Sequence, residues 1–235
     1  MLRRIASVMT ALFVLFFAVP TIADDYDEES WADDELEDED FEEEDEDEDF
    51  RSISGYDIPT FTIGDFTFTM NDEGDAAILV GYIGAASDVI FPETADQYPV
   101  VAIGTGMCVG NPVLETIQIP GSIRSIGNNA FAQCPKLRSV VIQEGLARMD
   151  KCCFGRCVSL REIRFPDSLE FVDDFSFAAC TNLQEVTFGA GLKSIGKQAF
   201  LMCSELSTVT IPGGESVFIG EGAFGQCADD FRILY

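Results

Sequence analysis

The pentapeptide AFAQC, Ala130 to Cys134, returns along the chain as CFGRC (Cys153 to Cys157), SFAAC (Ser176 to Cys180), AFLMC (Ala199 to Cys203) and AFGQC (Ala223 to Cys227). The neighbouring positions keep the same step. Ile103, Ile126, Met149, Val172, Ile195 and Ile219 are spaced by 23 residues, with a last step of 24. Leu114, Leu137, Leu160, Leu183 and Leu206 follow at 23 throughout, and Phe131, Phe154, Phe177, Phe200 and Phe224 share the register. Several columns in phase at one fixed period define a repeat architecture.

Within a unit, Leu137-Arg-Ser-Val140-Val-Ile142 and Leu183-Gln-Glu-Val186-Thr-Phe188 end in apolar alternation, which predicts a half-buried strand. Pro120, Pro166, Gly189 and Pro212 close these strands. A second apolar touch follows, as in Ile123-x-x-Ile126-Gly127. The xxAFxxC piece then turns the chain back, through an expected single helical or 3₁₀ turn. One unit buries only one side of itself, so neighbours must stack. About five and a half 23-residue repeats over residues 103–235 predict a solenoid with a parallel sheet along one face.

Residues 119–137, from Ile119-Pro-Gly-Ser-Ile-Arg-Ser-Ile-Gly to Ala130-Phe-Ala-Gln-Cys-Pro-Lys-Leu137, resemble the BspA-type leucine-rich repeat of bacterial surface proteins. Upstream, Phe66-Thr-Phe-Thr-Met-Asn-Asp-Glu-Gly-Asp75, Ala77 to Gly84 and Tyr98 to Gly104 are similar to the segment that opens those repeats. The expected fold is therefore an α/β leucine-rich-repeat solenoid with short turns or 3₁₀/helical pieces opposite the sheet. An N-terminal β cap over residues 51–102 carries a hairpin across Asn71 to Gly74 and a strand near Val89 to Phe91. Such a cap covers the core and strand edge that a bare solenoid end exposes. In the first turn Cys108 takes the Phe slot and Asn111 the Cys slot. Asn is a familiar substitute there, its amide satisfying backbone groups. Asp150 and Asp173 stand where Gly follows the Ile elsewhere, and Asp tolerates left-handed backbone. Asp230 replaces the Leu of the last turn, which predicts a frayed or specialised end.

Two segments precede the cap. Arg3 and Arg4 lead an apolar run from Ile5 to Pro20 and a small-residue site at Ala23, the pattern of a secretory signal peptide over residues 1–23. An uncleaved anchor is the other reading of the run. Residues 24–50 hold 20 Asp or Glu among 27 positions and no Lys or Arg. Mutual repulsion and the scarcity of apolar residues, with Tyr26, Trp31, Phe41 and Phe50 widely spaced, predict an extended, disordered acidic arm. The chain carries 42 acids and 14 bases, for a net charge of −28. From Arg51 onward there remain 22 acids and 12 bases, a net of −10. Nucleic acid and anionic membrane surfaces are thereby disfavoured as partners, and no membrane insertion is expected after signal removal. The arm has three open readings: a solubilising tail, a weak non-stoichiometric Ca²⁺ binder, or a segment that folds back on a basic patch.

The chain has no histidine. Ser-His-Asp triads, Cys-His nucleophiles and His-ligated zinc or copper are thus unavailable. Paired-carboxylate chemistry survives on residue types alone, although a flat repeat surface offers it no convergent pocket. Five of the eight cysteines share one slot of the repeat, which would stack them about 4.8 Å apart with parallel Cα–Cβ vectors. Disulfides need Cβ atoms nearer 3.8 Å and turned towards each other, so a buried wall of thiols is the expectation. Cys153 falls in the Ala slot and reads as core. Cys152 sits in a looser position and is the candidate for an exposed or disulfide-bonded thiol. No metal site and no cofactor are expected.

Outward residues of the strands make one continuous surface, the usual binding face of a solenoid. Ten of the twelve bases beyond Arg51 inclusive lie between Arg124 and Lys197, beside eight acids. The candidate ligand-binding residues are Arg138, Arg161, Glu162, Arg164, Gln184 and Thr187. The resemblance implies a non-catalytic protein, secreted or at the bacterial cell surface, that binds a protein ligand such as an extracellular matrix or plasma protein in adhesion. The alternative is a structural cell-envelope protein without a soluble ligand.

Overall fold

The computed structural model describes residues 59–235. The expected signal peptide, acidic arm and first residues of the cap lie outside the described residues. Seventeen strands follow in chain order: β1 (Thr60–Ile63), β2 (Phe66–Met70), β3 (Ala77–Tyr82), β4 (Asp88–Ile90), β5 (Thr94–Ala95) and β6 (Tyr98–Ile103); then β7 (Thr116–Ile119), β8 (Ser125–Ile126), β9 (Ser139–Ile142), β10 (Arg148–Met149), β11 (Glu162–Arg164) and β12 (Phe171–Val172); finally β13 (Glu185–Thr187), β14 (Ser194–Ile195), β15 (Thr208–Thr210), β16 (Phe218–Ile219) and β17 (Arg232–Leu234).

Each turn of the solenoid contributes two strands, which run in separate ladders. The longer ones, β4, β7, β9, β11, β13, β15 and β17, supply one strand for each of seven turns. They pair in parallel as β4-β7-β9 and β11-β13-β15-β17. The two-residue strands β8, β10, β12, β14 and β16 continue the sheet that starts with β1-β2-β3-β6. The second apolar touch of the repeat is therefore itself a β ladder: Met149 pairs with Ile126 on one side and Val172 on the other. Its outward partners, Ser125, Arg148, Phe171, Ser194 and Phe218, form the opposite surface.

The N-terminal hairpin falls where the Asn71 to Gly74 segment predicts it. β2 and β3 pair antiparallel around it, and the Asn71 side chain holds the turn by accepting the N–H groups of Asp75 and Ala76 at 3.1 and 3.0 Å. β3 then joins β6 in parallel, so the hairpin covers the strand edge that the first turn would otherwise expose. In the long-strand ladder parallel pairing begins at β4, where Val89 stands opposite Ile117.

The xxAFxxC piece is not a helix. It is a run of hydrogen-bonded turns with two left-handed residues in each repeat, at Asn129 and Gln133, Cys152 and Arg156, Phe175 and Ala179, Gln198 and Met202. Among the described residues the one 3₁₀ segment is Gly214–Ser216. The left-handed backbone expected at Asp150 and Asp173 is thus found two residues further on, in each of these repeats. The glycines of the Asp slot are required for close approach instead. A Cβ on Gly196 would meet the Asp174 nitrogen at 2.5 Å.

The core is one continuous stack. Phe131, Phe154, Phe177 and Phe200 are fully buried, with successive ring centroids 5.1 to 5.3 Å apart. Both ends of this column are finished by phenylalanines from outside the repeated slot. Phe91 stacks on Phe131 at 5.7 Å in the turn where Cys108 replaces the Phe, and Phe231 stacks on Phe224 at 5.1 Å. The last turn is therefore not frayed: β17 pairs with β15 over three positions despite Asp230.

Candidate functional site

The thiol column decides whether the cysteines are chemistry. Each slot cysteine donates its S–H to a main-chain carbonyl of the preceding turn: Cys134 to Cys108 at 3.1 Å, and Cys157, Cys180 and Cys203 to Phe131, Phe154 and Phe177 at 3.2 Å. All eight cysteines are free. Burial pushes the thiols of Cys108 and Cys203 up to about 12, and those of Cys134 and Cys227 up to about 11. Cys153, Cys157 and Cys180 are likewise raised well above the ordinary thiol value by burial. A thiol held neutral is neither a nucleophile nor a metal ligand, so the column is wall. Cys152 is half-buried rather than exposed, and burial raises its thiol too. No group of three or more His, Cys, Asp or Glu could hold a metal among the described residues.

The face of the long strands differs. A cavity of about 1130 Å³ opens on it, centred on β9 and β11. Five of the six residues singled out from the sequence line it: Arg138, Arg161, Glu162, Arg164 and Gln184. Thr187 does not; it ends β13, where its carbonyl accepts the Phe165 N–H at 2.8 Å. The lining also includes Glu115, Lys136, Val141, Ser159, Asn182 and Glu185. Of these, Val141 is 47 % exposed and supplies the apolar floor. Lys136, Ser159 and Asn182 are contributed by the chain entering each strand, which strand alternation alone does not mark as part of the face.

The cavity coincides with a break in the ladder. In the turns on either side, the Arg138 and Ser139 N–H groups donate to the Glu115 carbonyl, and the Gln184 and Glu185 N–H groups donate to that of Arg161. Between them, β9 and β11 belong to different sheets. Among the described residues the Arg138 carbonyl accepts no main-chain hydrogen bond and the Arg161 N–H donates none. One local cause is readable: Arg138 and Arg161 occupy the same register position in successive turns, and like charges opposite each other oppose pairing. The opposite ladder stays closed here through β10 and β12.

Ion pairs lead away from the break on both sides. Arg138 reaches back to Glu115 at 2.8 Å, and Arg164 reaches forward to Glu185 at 4.0 Å. Arg161 and Lys136 have no ion-pair partner among the described residues. On the opposite surface Arg148 pairs with Asp150 and Asp173, Lys151 with Asp174 and Lys193 with Glu170, whereas Arg124 and Lys197 have no ion-pair partner among the described residues. What the site offers is thus a shallow, polar, arginine-bearing trough with open backbone groups. That suits contact with an extended polar segment and lacks the enclosed convergent groups of a catalytic pocket. A second, smaller cavity of about 610 Å³ near the C-terminal end is acidic, lined by Glu205, Asp229 and Asp230.

A parallel-stranded solenoid with leucine, phenylalanine and cysteine columns at a 23-residue step is a leucine-rich repeat protein. The BspA type leucine rich repeat region matches residues 102–229 in 6 copies, and the chain belongs to that family. It is similar in structure to a leucine-rich repeat protein of T. pallidum, with 28% identity, a TM-score of 0.62, and coverage of 74% of this chain and 86% of that one. It is also similar to a leucine rich cell surface protein of Faecalibacterium prausnitzii, with 30% identity, a TM-score of 0.64, and coverage of 75% of this chain and half of the other. The fold is shared with the pneumococcal vaccine antigen PcpA, at 21% identity and a TM-score of 0.62 over 72% of this chain and 48% of that one. No curated protein matches the chain by sequence. No helix of the described residues is long and apolar enough to cross a membrane.

Proposed function

We propose that this chain is an exported, non-catalytic binding protein whose strand face, at the trough between β9 and β11, holds a protein ligand. The observation that carries this reading is the coincidence of a 1130 Å³ trough with Arg138, Arg161 and Arg164, two of them ion-paired outward and one without an ion partner among the described residues. Arginine is enriched where protein surfaces meet, since its planar fork makes several directed hydrogen bonds at once. Export is supported by the basic-apolar-small pattern of residues 1–23 and by the cell-surface relative. Adhesion to extracellular matrix or plasma proteins is the role we assign, with Arg138, Arg161, Glu162, Arg164, Gln184 and Thr187 as contact residues.

The test is saturable solid-phase binding of the protein to a panel of such proteins, beside the double variant Arg161→Glu with Arg164→Glu. A loss of roughly tenfold or more in affinity, with an unchanged melting profile, is the expected result. Saturable binding that survives the double change would move the site off this face. Binding to nothing on the panel, together with co-fractionation with cell wall, would favour a structural envelope role.

A further inference from the structure

The turns that carry β9 and β11 are tied together around the trough. β10 pairs with β12 on the short-strand side, and Cys152, Phe154 and Arg156 donate their N–H groups to the carbonyls of Asp174, Ser176 and Ala178 at 2.8 to 3.1 Å. Where the chain enters the long strands, the Ser159 hydroxyl donates to the Pro135 carbonyl. Where it leaves them, the Glu144 carboxylate accepts the Asp167 and Ser168 N–H groups at 3.0 and 3.1 Å. The opening is therefore a slot tied at both ends. It reaches the core: Ile142 is partly exposed and Val140 is 8 % exposed, whereas Ile117, Ile119, Val186, Val209 and Ile211, at the same inward positions of other turns, are at 0 %. The Arg138 carbonyl and the Arg161 N–H stand in the slot unused, at positions whose counterparts bond one turn earlier and one turn later.

We propose that this slot is a charge-latched gate on the strand face, held open by the guanidinium groups of Arg138 and Arg161 and able to close by zipping β9 onto β11. Strands in register lie about 4.8 Å apart, so closing the ladder brings these two like charges together. Like charge alone does not part every ladder here. Glu162 faces Glu185 and β11 still pairs with β13, but there Arg164 reaches Glu185 at 4.0 Å and offsets the repulsion. Arg138 instead reaches back to Glu115, and Arg161 has no ion-pair partner among the described residues. Closing would satisfy the open main-chain groups and cover Val140 and Ile142, so burial and hydrogen bonding pull against the repulsion. Added salt weakens the repulsion and leaves the burial in place, since the screening length falls to about 3 Å at 1 M. A ligand on this face would thus meet an open trough at low ionic strength and a shut one at high ionic strength. The gate rests on the proposed binding role only for its use. It is measured on the protein without a partner, so either can fail without the other.

Amide hydrogen exchange resolved to single residues reads the gate directly. The Gln184 N–H, which donates to the Arg161 carbonyl at 2.7 Å, is the reference from the closed ladder one turn later. At low ionic strength, and after correction for intrinsic rates, the amide at position 161 should exchange about tenfold faster than that of Gln184. Arg138→Gln and, separately, Arg161→Gln should each slow exchange at position 161 by about tenfold, and salt near 1 M should do the same in the unchanged protein. An amide at position 161 as protected as that of Gln184 at low ionic strength would overturn the proposal, because the ladder would then be closed from the outset. Exchange that stays fast in both variants, in protein that melts as the unchanged chain does, would overturn it too, since something other than this repulsion would then part the strands.

Discussion

At position 152 a thiol occupies one of the left-handed sites of the turn, with φ of 58°. The same slot holds Asn129 in the preceding repeat, Phe175 in the next and Gln198 in the one after that. The thiol one residue later, Cys153, is fully buried in the Ala slot. A single position along the turn therefore separates a half-buried thiol from a fully buried one. With a thiol-specific chromophoric reagent, native protein should show one fast equivalent at Cys152 and a slower one at half-buried Cys227, the remaining six reacting only on unfolding. Cys152→Ser should abolish the fast phase. Several fast equivalents in native protein would mean that the column is open to solvent.

The turn is the element that departs most from its sequence reading. A tail of Ala-Phe-x-x-Cys suits a helical turn by propensity, but two left-handed residues per repeat bend the chain more sharply. They also let main-chain groups bond from turn to turn, as in Phe154 N–H to the Ser176 carbonyl at 2.8 Å and Phe177 N–H to Ala199 at 2.7 Å. That third run of inter-turn bonds satisfies backbone groups which an isolated helical turn would leave open. The second left-handed slot is filled by Gly110 in the first turn and by Ala179 in the fourth, at φ of 69° and 59°. A left-handed Ala costs roughly 1–2 kcal/mol, against an unfolded-state penalty for Gly of about 0.5–1 kcal/mol. Ala179→Gly should therefore raise stability by about 0.5 kcal/mol in urea unfolding, and Ala179→Val should lower it. A destabilised Gly variant would show that the Ala side chain's packing outweighs the backbone strain.

For the whole molecule, the neutral thiols set a pH limit. Burial raises their folded-state values to about 11 or 12 and beyond, while an unfolded thiol titrates near 8.5. The folded state thus holds protons that the unfolded state releases. Their contribution is full below about pH 8.5 and falls as pH rises through the folded values. Each thiol adds a slope of up to about 1.4 kcal/mol per pH unit in that window. The urea midpoint should be level between pH 7 and 8 and should drop by pH 9.5, before tyrosine and lysine titrate. A level profile to pH 9.5 would require thiols that ionise without unfolding the chain.

Columns were legible because each depends on local spacing: a residue that recurs every 23 positions must lie on the same side of every turn, and Leu, Ile and Phe must lie inside. The same logic placed Arg138, Arg161, Glu162, Arg164 and Gln184 outward on one face, and the Asn71 hairpin at its turn. What the sequence by itself determined is therefore the period, the core and the sign of charge along the chain, each a property of residues read in order. Only the tertiary structure decided that Phe91 and Phe231 finish the aromatic column, that the short apolar touches form a second ladder, and that the long-strand ladder opens between β9 and β11. The physical reason is common to all three. Stacking rings, pairing strands and the repulsion of Arg138 by Arg161 act between residues a full turn or more apart, and their outcome depends on how neighbouring turns settle against each other.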